Sequence, residues 1–384
     1  MKAADPVDGR PAARRHRRRA YALIAGGGTG GHVVPALAIG RALVERGHPA
    51  SSIHFVGSRR GLECRLVPAA GFALTALGGR GIVRRLAWAN VGAAAGLAGA
   101  VVRALVLVGR TRPAVVVSVG GYASVAATLA AFAWRVPIVV AEQNAVPGAA
   151  NRLAGRVARA SAVSFAGTAL PRAVLTGNPV SAEILAVDRG PAGRAAARAA
   201  LDLPPDRAVV AVVNGSLGAR RVNEAVVALA ALWGSRRDVA VRHVVGARDW
   251  DSLAAGPEGS GLVYQQVRFE SRMDLLYAAA DVVVSRPGGA TLAELAVVGL
   301  PSVLVPRPGS PGDHQTGNAR HLEGAGAAVV VPDEECDANR LARELDALIG
   351  SPARLAEMAV AARRLGRPGA AAAVAALVEG HARA

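Results

Sequence analysis

Tyr21-Ala22-Leu23-Ile24-Ala25-Gly26-Gly27-Gly28-Thr29-Gly30-Gly31-His32-Val33-Val34-Pro35 is the stretch on which the fold turns. A short apolar run that ends in glycines and passes into helical spacing is the strand–turn–helix opening of a doubly wound α/β sheet. Ala36, Ile39, Gly40 and Leu43 continue it as one apolar helix face. From there, short β-branched runs alternate with longer Ala- and Leu-rich stretches. Strands are predicted at 21–25, 53–56, 114–119, 138–141, 162–165 and 174–176. They are apolar throughout, as strands of a parallel sheet covered on both faces must be.

The rhythm restarts after Gly177-Asn178-Pro179-Val180, which reads as a linker. The second set of strands is predicted at 208–213, 241–245, 262–264, 282–285, 302–306 and 328–331. The expected fold is therefore α/β, with two Rossmann-like doubly wound domains facing a cleft. The boundaries read as a basic tail over 1–19, an N-terminal domain over 20–177, a C-terminal domain over 178–360 and a helical tail over 361–384.

The composition excludes several chemistries. Among 384 residues 52% are apolar and 19% charged, enough for two cored domains and incompatible with a disordered chain. Lys2 is the single lysine, so a P-loop lysine, a pyridoxal Schiff base and a catalytic ε-amine are all out. Arginine in place of lysine, with abundant Ala, Gly and Val, fits the codon usage of a GC-rich genome. The net charge of +17 is thus poor ground for a nucleic-acid partner, and aromatics are only 3%. It does favour approach to anionic surfaces. Cys64 and Cys336 stand alone, with no disulfide framework and no zinc spacing, and no H-E-x-x-H occurs. Arg14, Arg15, His16, Arg17, Arg18 and Arg19 precede an apolar run too short for a signal peptide. The longest apolar stretch, 91–108, is broken by Arg103 and reads as a buried or interfacial helix, so a soluble or peripheral protein is expected.

Glycine loops carry the functional signal. Gly26, Gly28 and Gly31 satisfy G-x-G-x-x-G, but the acid that would hold a ribose after the second strand is missing. Gly57-Ser58-Arg59-Arg60 stands there instead, and its arginines leave an NADP reading open. His32 opens a helix at the carboxyl end of the sheet, where the positive helix end should keep it neutral and fit it for general-base work; the bland alternative is a polar helix-start residue with no chemistry. Asn214-Gly215-Ser216-Leu217-Gly218-Ala219 offers amides and a hydroxyl for an anion. Ser285-Arg286-Pro287-Gly288-Gly289-Ala290-Thr291 opens a helix that carries Glu294 one turn in. Gly312-Asp313-His314-Gln315-Thr316-Gly317-Asn318 can ligate a sugar or merely cap a helix. Asp249-Trp250-Asp251 matches a metal-binding D-x-D but lies outside the loops, and no metal is expected there.

Taken in order with Gly120-Gly121-Tyr122, Glu142-Gln143-Asn144-Ala145-Val146-Pro147-Gly148 and Thr176-Gly177-Asn178-Pro179-Val180, these loops resemble a known family. It is the GT-B glycosyltransferases that add N-acetylglucosamine to a lipid-linked N-acetylmuramoyl-pentapeptide in peptidoglycan synthesis. The resemblance runs over about residues 21–331. It implies inverting transfer from UDP-N-acetylglucosamine to the sugar 4-hydroxyl of lipid I, without metal or cofactor. It implies that the Gly215–Ser216 loop holds phosphate, Glu294 the ribose and Gln315 the sugar hydroxyls, with Phe269, Arg286, Ala290, Thr291 and His314 nearby. The acceptor pyrophosphate is expected on Thr29, Gly30 and Gly31, with Tyr122 and Asn144 lining the acceptor side and His32 as the base.

The lipid-linked acceptor also gives meaning to Ile82, Val83, Arg84, Arg85, Leu86 and Trp88, and to Phe132, Trp134 and Arg135. Apolar groups beside tryptophan and arginine suit the anionic inner-membrane surface, and the expected place is the cytoplasmic face of the bacterial membrane, peripherally bound. Two positions depart from the family pattern: Ser181 replaces a usual arginine and Ala141 a usual histidine. A related transferase with another lipid or natural-product acceptor is therefore an alternative. A UDP-sugar 2-epimerase would need carboxylates over the sugar C2, and no such pair is evident. A non-catalytic NADP-binding protein would leave Ser216, Glu294 and Gln315 unexplained.

Overall fold

The apolar runs pair into two all-parallel sheets in a computed structural model that describes residues 20–78, 89–215, 218–257 and 261–383. The first sheet contains β1 (Ala22–Gly26), β2 (Ile53–Ser58), β3 (Ala73–Leu77), β4 (Val115–Gly120), β5 (Ile138–Glu142), β6 (Ala160–Val163) and β7 (Ala173–Leu175). Its order is β3-β2-β1-β4-β5-β6-β7. Around it lie α1 (Gly30–Glu45), α2 (Glu63–Ala69), α3 (Ala89–Thr111), α4 (Tyr122–Ala133) and α5 (Ala149–Gly155).

The second sheet contains β8 (Ala208–Val213), β9 (Val239–Val244), β10 (Val263–Val267), β11 (Val282–Ser285), β12 (Ser302–Leu304) and β13 (Ala328–Val330), in the order β10-β9-β8-β11-β12-β13. Its helices are α6 (Ala182–Leu185), α7 (Pro191–Ala200), α8 (Arg220–Leu232), α9 (Met273–Ala279), α10 (Gly289–Val298), α11 (His314–Gly324), α12 (Ala338–Ile349) and α13 (Pro352–Leu365). The last helix, α14 (Ala370–His381), crosses back to the first sheet. Its Val374, Ala375 and Val378 are buried against Ile39 and Leu43 of α1, and Glu379 pairs with Arg46 at 2.5 Å and His48 at 2.9 Å. Helix α13 runs unbroken through residue 360.

Each sheet is cored on both faces, which is why its inner strands are apolar without alternation. β3 lies outside the predicted strands. Ala73-Leu74-Thr75-Ala76-Leu77 has a helix-like composition, and as an edge strand it buries only Leu77 fully. In both sheets the strand order reverses beside the first strand, between β1 and β4 and between β8 and β11. Open α/β sheets bind ligands in the crevice outside such a switch point. The four loops that follow these strands are the glycine loops at 26–29, 120–121, 214–218 and 286–288.

Candidate active site

The two switch points open onto one cleft of about 620 Å3. Thr29, Gly30, Gly31 and Val34 of the first sheet's α1 line one side. Gly215, Gly218, Arg286, Gly288, Ala290, Thr291, Glu294 and Gln315 line the other, joined by Arg220, Arg221, Arg248 and Arg307. The residues expected to hold acceptor and donor phosphates thus share one chamber. The first turns of α1 and α10 line it, and five cleft-lining arginines add positive potential.

His32 is the third residue of α1. Its Nδ1 lies 3.5 Å from Thr29 Oγ1, a long contact. Its Nε2 edge rests against Gly120, where an added Cβ would stand only 3.1 Å away. Gly120 has φ of +102°, so this close approach of the β4 loop to the ring needs glycine twice over, for space and for backbone. The imidazole pKa is lowered, mainly by burial; Glu142 and Glu63 oppose the shift and His314 of α11 adds to it. The imidazole is therefore kept neutral by desolvation, where the helix end was the expected cause.

Glu142 ends β5 and is buried with all its acceptor capacity used. Asn144 donates to Oε1 from its backbone at 3.0 Å and its side chain at 3.1 Å, while Gly148 N–H and Asn151 Nδ2 donate to Oε2 at 3.1 and 2.9 Å. This carboxylate shapes the 142–148 loop and holds Asn144. Asn144 Oδ1 in turn accepts 3.1 Å from Asn318 Nδ2 of α11, and Asn318 Oδ1 accepts from Ala145 N–H at 2.8 Å. Asn144, expected on the acceptor wall, is thus part of the seam between the domains. Tyr122 begins α4 and donates its hydroxyl to Gly78 O at 3.0 Å, at the edge of the described chain.

On the wall expected to hold the donor, Glu294 is half-buried on α10 and accepts 3.0 Å from the hydroxyl of buried Tyr277. Burial pushes its pKa up to about 7, and the Tyr277 hydrogen bond opposes the shift. Gln315 Oε1 accepts from Arg307 N–H at 2.8 Å, which leaves its NH2 to donate. His314 starts α11 and its Nδ1 contacts Pro311 O at 3.0 Å. Arg286 reaches the cleft but turns inward: Nη1 meets Asp333 at 2.6 Å and donates to Val305 O at 2.9 Å. Phe269 is 57% exposed and lies outside the cleft lining. Ser216 lies outside the described residues, as do Ile82, Val83, Arg84, Arg85, Leu86, Trp88 and the tail 1–19. Asn214, the residue after β8, donates its side chain to fully buried Asn223 at 3.2 Å, and Asn223 donates to Val245 O at 3.0 Å and Asp249 Oδ2 at 3.1 Å. Asp249, the first acid of the D-x-D, is consumed in this scaffold by Asn223 and by Arg248 at 2.8 Å.

Glu63, Glu142, Asn223, Tyr277 and Asn318 are polar residues whose structural work emerges only in the fold. Glu63, Asn223, Tyr277 and Asn318 act on backbone groups or on partners distant in sequence, which no local spacing marks, whereas Glu142 holds the nearby Asn144 and Asn151 side chains.

Two facing Rossmann-like domains with nucleotide-type loops at both switch points define a GT-B glycosyltransferase. The N-terminal domain model of glycosyltransferase family 28 matches residues 22–163 and the C-terminal domain model matches 209–374, and the chain belongs to this family. A relative from Moorella thermoacetica is 40% identical over 91% of this chain and 95% of its own; one from Alkalilimnicola ehrlichii is 42% identical over 92% and 96%. Both are named UDP-N-acetylglucosamine–N-acetylmuramyl-(pentapeptide) pyrophosphoryl-undecaprenol N-acetylglucosamine transferase. The crystal structure of Acinetobacter baumannii MurG superposes with a TM-score of 0.72 at 28% identity, covering 94% of this chain and 99% of that one.

Proposed function

We propose that this chain transfers N-acetylglucosamine from UDP-N-acetylglucosamine to the 4-hydroxyl of the N-acetylmuramoyl-pentapeptide carried on undecaprenyl pyrophosphate, with inversion at the anomeric carbon. The observation that carries it is the shared cleft, where α1 of one domain faces Glu294, Gln315 and the Gly215 loop of the other. The near-complete coverage of relatives named for that reaction supports the same reading.

His32, neutral through burial, takes the proton as the 4-hydroxyl oxygen bonds to the anomeric carbon and the bond to the UDP β-phosphate breaks. Negative charge grows on the departing UDP, and the first-turn amides of α10 with the Gly215 loop meet it. The NH2 of Gln315 addresses the sugar hydroxyls and Glu294 the ribose diol. A dinucleotide at the first loop is disfavoured because the Gly28 amide already donates to Glu63 at 3.0 Å. His32→Ala lowers kcat by about 10²–10⁴ and leaves UDP affinity within a few-fold. Unchanged kcat removes His32 from the mechanism.

The lipid-borne acceptor requires the enzyme to work at a membrane surface, on the cytoplasmic face where UDP-sugars are found. No helix among the described residues is long and apolar enough to span a bilayer. Phe132 is 62% and Trp134 47% exposed, and Phe132 shares a hollow with Arg135, Arg156 and Arg159, a composition suited to anionic headgroups. Trp134 Nε1 donates to Leu105 O at 3.0 Å, so its ring is held against α3 with one edge outward.

A further inference from the structure

A carboxylate lies beneath the first glycine loop. Glu63, the first residue of α2, is only 1% exposed, and among the described residues no basic side chain forms an ion pair with it. Backbone groups satisfy it instead. Gly28 N–H donates to its two oxygens at 3.1 and 3.0 Å, and Ser58 N–H donates to Oε1 at 2.5 Å. The cradle is built of glycines from the first loop and from the end of β2 and the turn after it: a Cβ added at Gly27, Gly57 or Gly61 would stand 2.1, 2.3 or 2.0 Å from Glu63 atoms. Burying an anion without a cation is costly, and removing its few donors would leave it stranded. A packing role alone would be met by an apolar side chain of the same volume.

What the carboxylate holds is the segment that enters α1. With the Gly28 amide occupied by Glu63, Thr29, Gly30 and Gly31 are the residues of this segment that line the cleft. His32 follows directly. We propose that Glu63 is a positioning residue for the reaction, whose carboxylate, by accepting the Gly28 and Ser58 amides, fixes the glycine loop in the shape that presents the start of α1 and the His32 ring to the substrates. It acts through the loop and touches no reacting atom. This assignment rests on the reading of His32 as the base.

Glu63 also acts on His32 through space. The charged groups that bear on the imidazole are Glu142 from β5 and Glu63 from α2, which raise its pKa, and His314 from α11, which lowers it, against a background of desolvation. Neutralising Glu63 therefore lowers the His32 pKa further. A side chain that merely filled space would leave that titration where it is.

The test uses the full-length chain with labelled histidine, following ring signals by NMR as pH is varied, with the His32 signal identified by its loss in His32→Gln. In Glu63→Gln the His32 midpoint moves to lower pH, kcat falls about tenfold through loss of alignment and donor KM stays within about twofold. The acid limb of the kcat profile moves down with the midpoint. A folded Glu63→Gln with an unmoved His32 midpoint overturns the proposal, whether or not turnover is lost. If the Gln variant does not fold, Glu63→Asp carries the test, since it keeps the charge and shortens the reach: kcat falls about tenfold, and wild-type kcat overturns the assignment. The NMR midpoint reads the Glu63–His32 coupling even if His32→Ala retains turnover, so failure of the base and failure of this proposal are distinguishable.

Discussion

A single methyl group at Gly289 should part the two domains. Gly289 is the first residue of α10 and its φ is not in the left-handed region, so alanine suits its backbone and even gains helix propensity. The obstacle is across the seam. A Cβ there would stand 2.1 Å from the Gln143 carbonyl oxygen and 3.2 Å from Asn144 Oδ1. Real Cβ contacts do not fall below 3.0 Å, so one backbone must withdraw from the other by about 0.9 Å. The same seam carries Ala145 N–H to Asn318 at 2.8 Å and Asn318 to Asn144 at 3.1 Å, and neither survives that stretch as a hydrogen bond. At roughly 1 kcal/mol each, the thermodynamic loss is about 2 kcal/mol, too little to unfold the chain. The kinetic loss is larger, because displacement of the α10 loops against α1 by about 1 Å costs up to about 10²-fold. Steady-state UDP release from UDP-N-acetylglucosamine with a soluble acceptor should show kcat down about 10–100-fold, with donor KM changed less. Wild-type kcat in Gly289→Ala would refute the claim that this seam sets the reacting geometry.

Two further outcomes follow from the site. Glu294, with its pKa raised to about 7, loses an acceptor for the ribose diol when protonated, so KM for UDP-N-acetylglucosamine rises as pH falls from about 8 to 6, by up to about tenfold per unit. Glu294→Gln raises KM at the upper pH and abolishes the slope; a flat wild-type profile contradicts the ribose role. Replacing Ile82, Leu86 and Trp88 with serine abolishes co-sedimentation with phosphatidylglycerol vesicles while turnover of a short-chain soluble acceptor stays within about twofold. Undiminished sedimentation contradicts the membrane role of that segment.

Much of this arrangement was legible in the residues. The strand–glycine–helix openings at Ala22–Thr29 and Ala208–Gly218 give both sheets, because parallel strands covered on two faces must be apolar and a tight turn at a switch point must be glycine-rich. Thr29, Gly30, Gly31, Gly215, Ala290, Thr291, Glu294 and Gln315 meet in one cleft, as two such openings facing each other require. What stayed hidden has a common physics. β3 is an edge strand whose Ala-Leu-Thr composition carries no alternation. Glu63 and Asn318 act on backbone amides brought close by tertiary packing, at Gly28 and at Ala145, and a backbone amide leaves no mark in the sequence. Arg286 shows the converse: its position in the third glycine loop is legible, but its turn inward depends on Asp333, in the turn beyond β13 and nearly fifty residues away.

The most direct test of the central claim is UDP release from UDP-N-acetylglucosamine with and without a short-chain lipid I analogue, with the product weighed by mass spectrometry. The account predicts acceptor-dependent release and a product heavier by one N-acetylhexosamine. Donor binding with no transfer to that acceptor would contradict it, leaving the fold and the donor wall in place but assigning the cleft to a different acceptor.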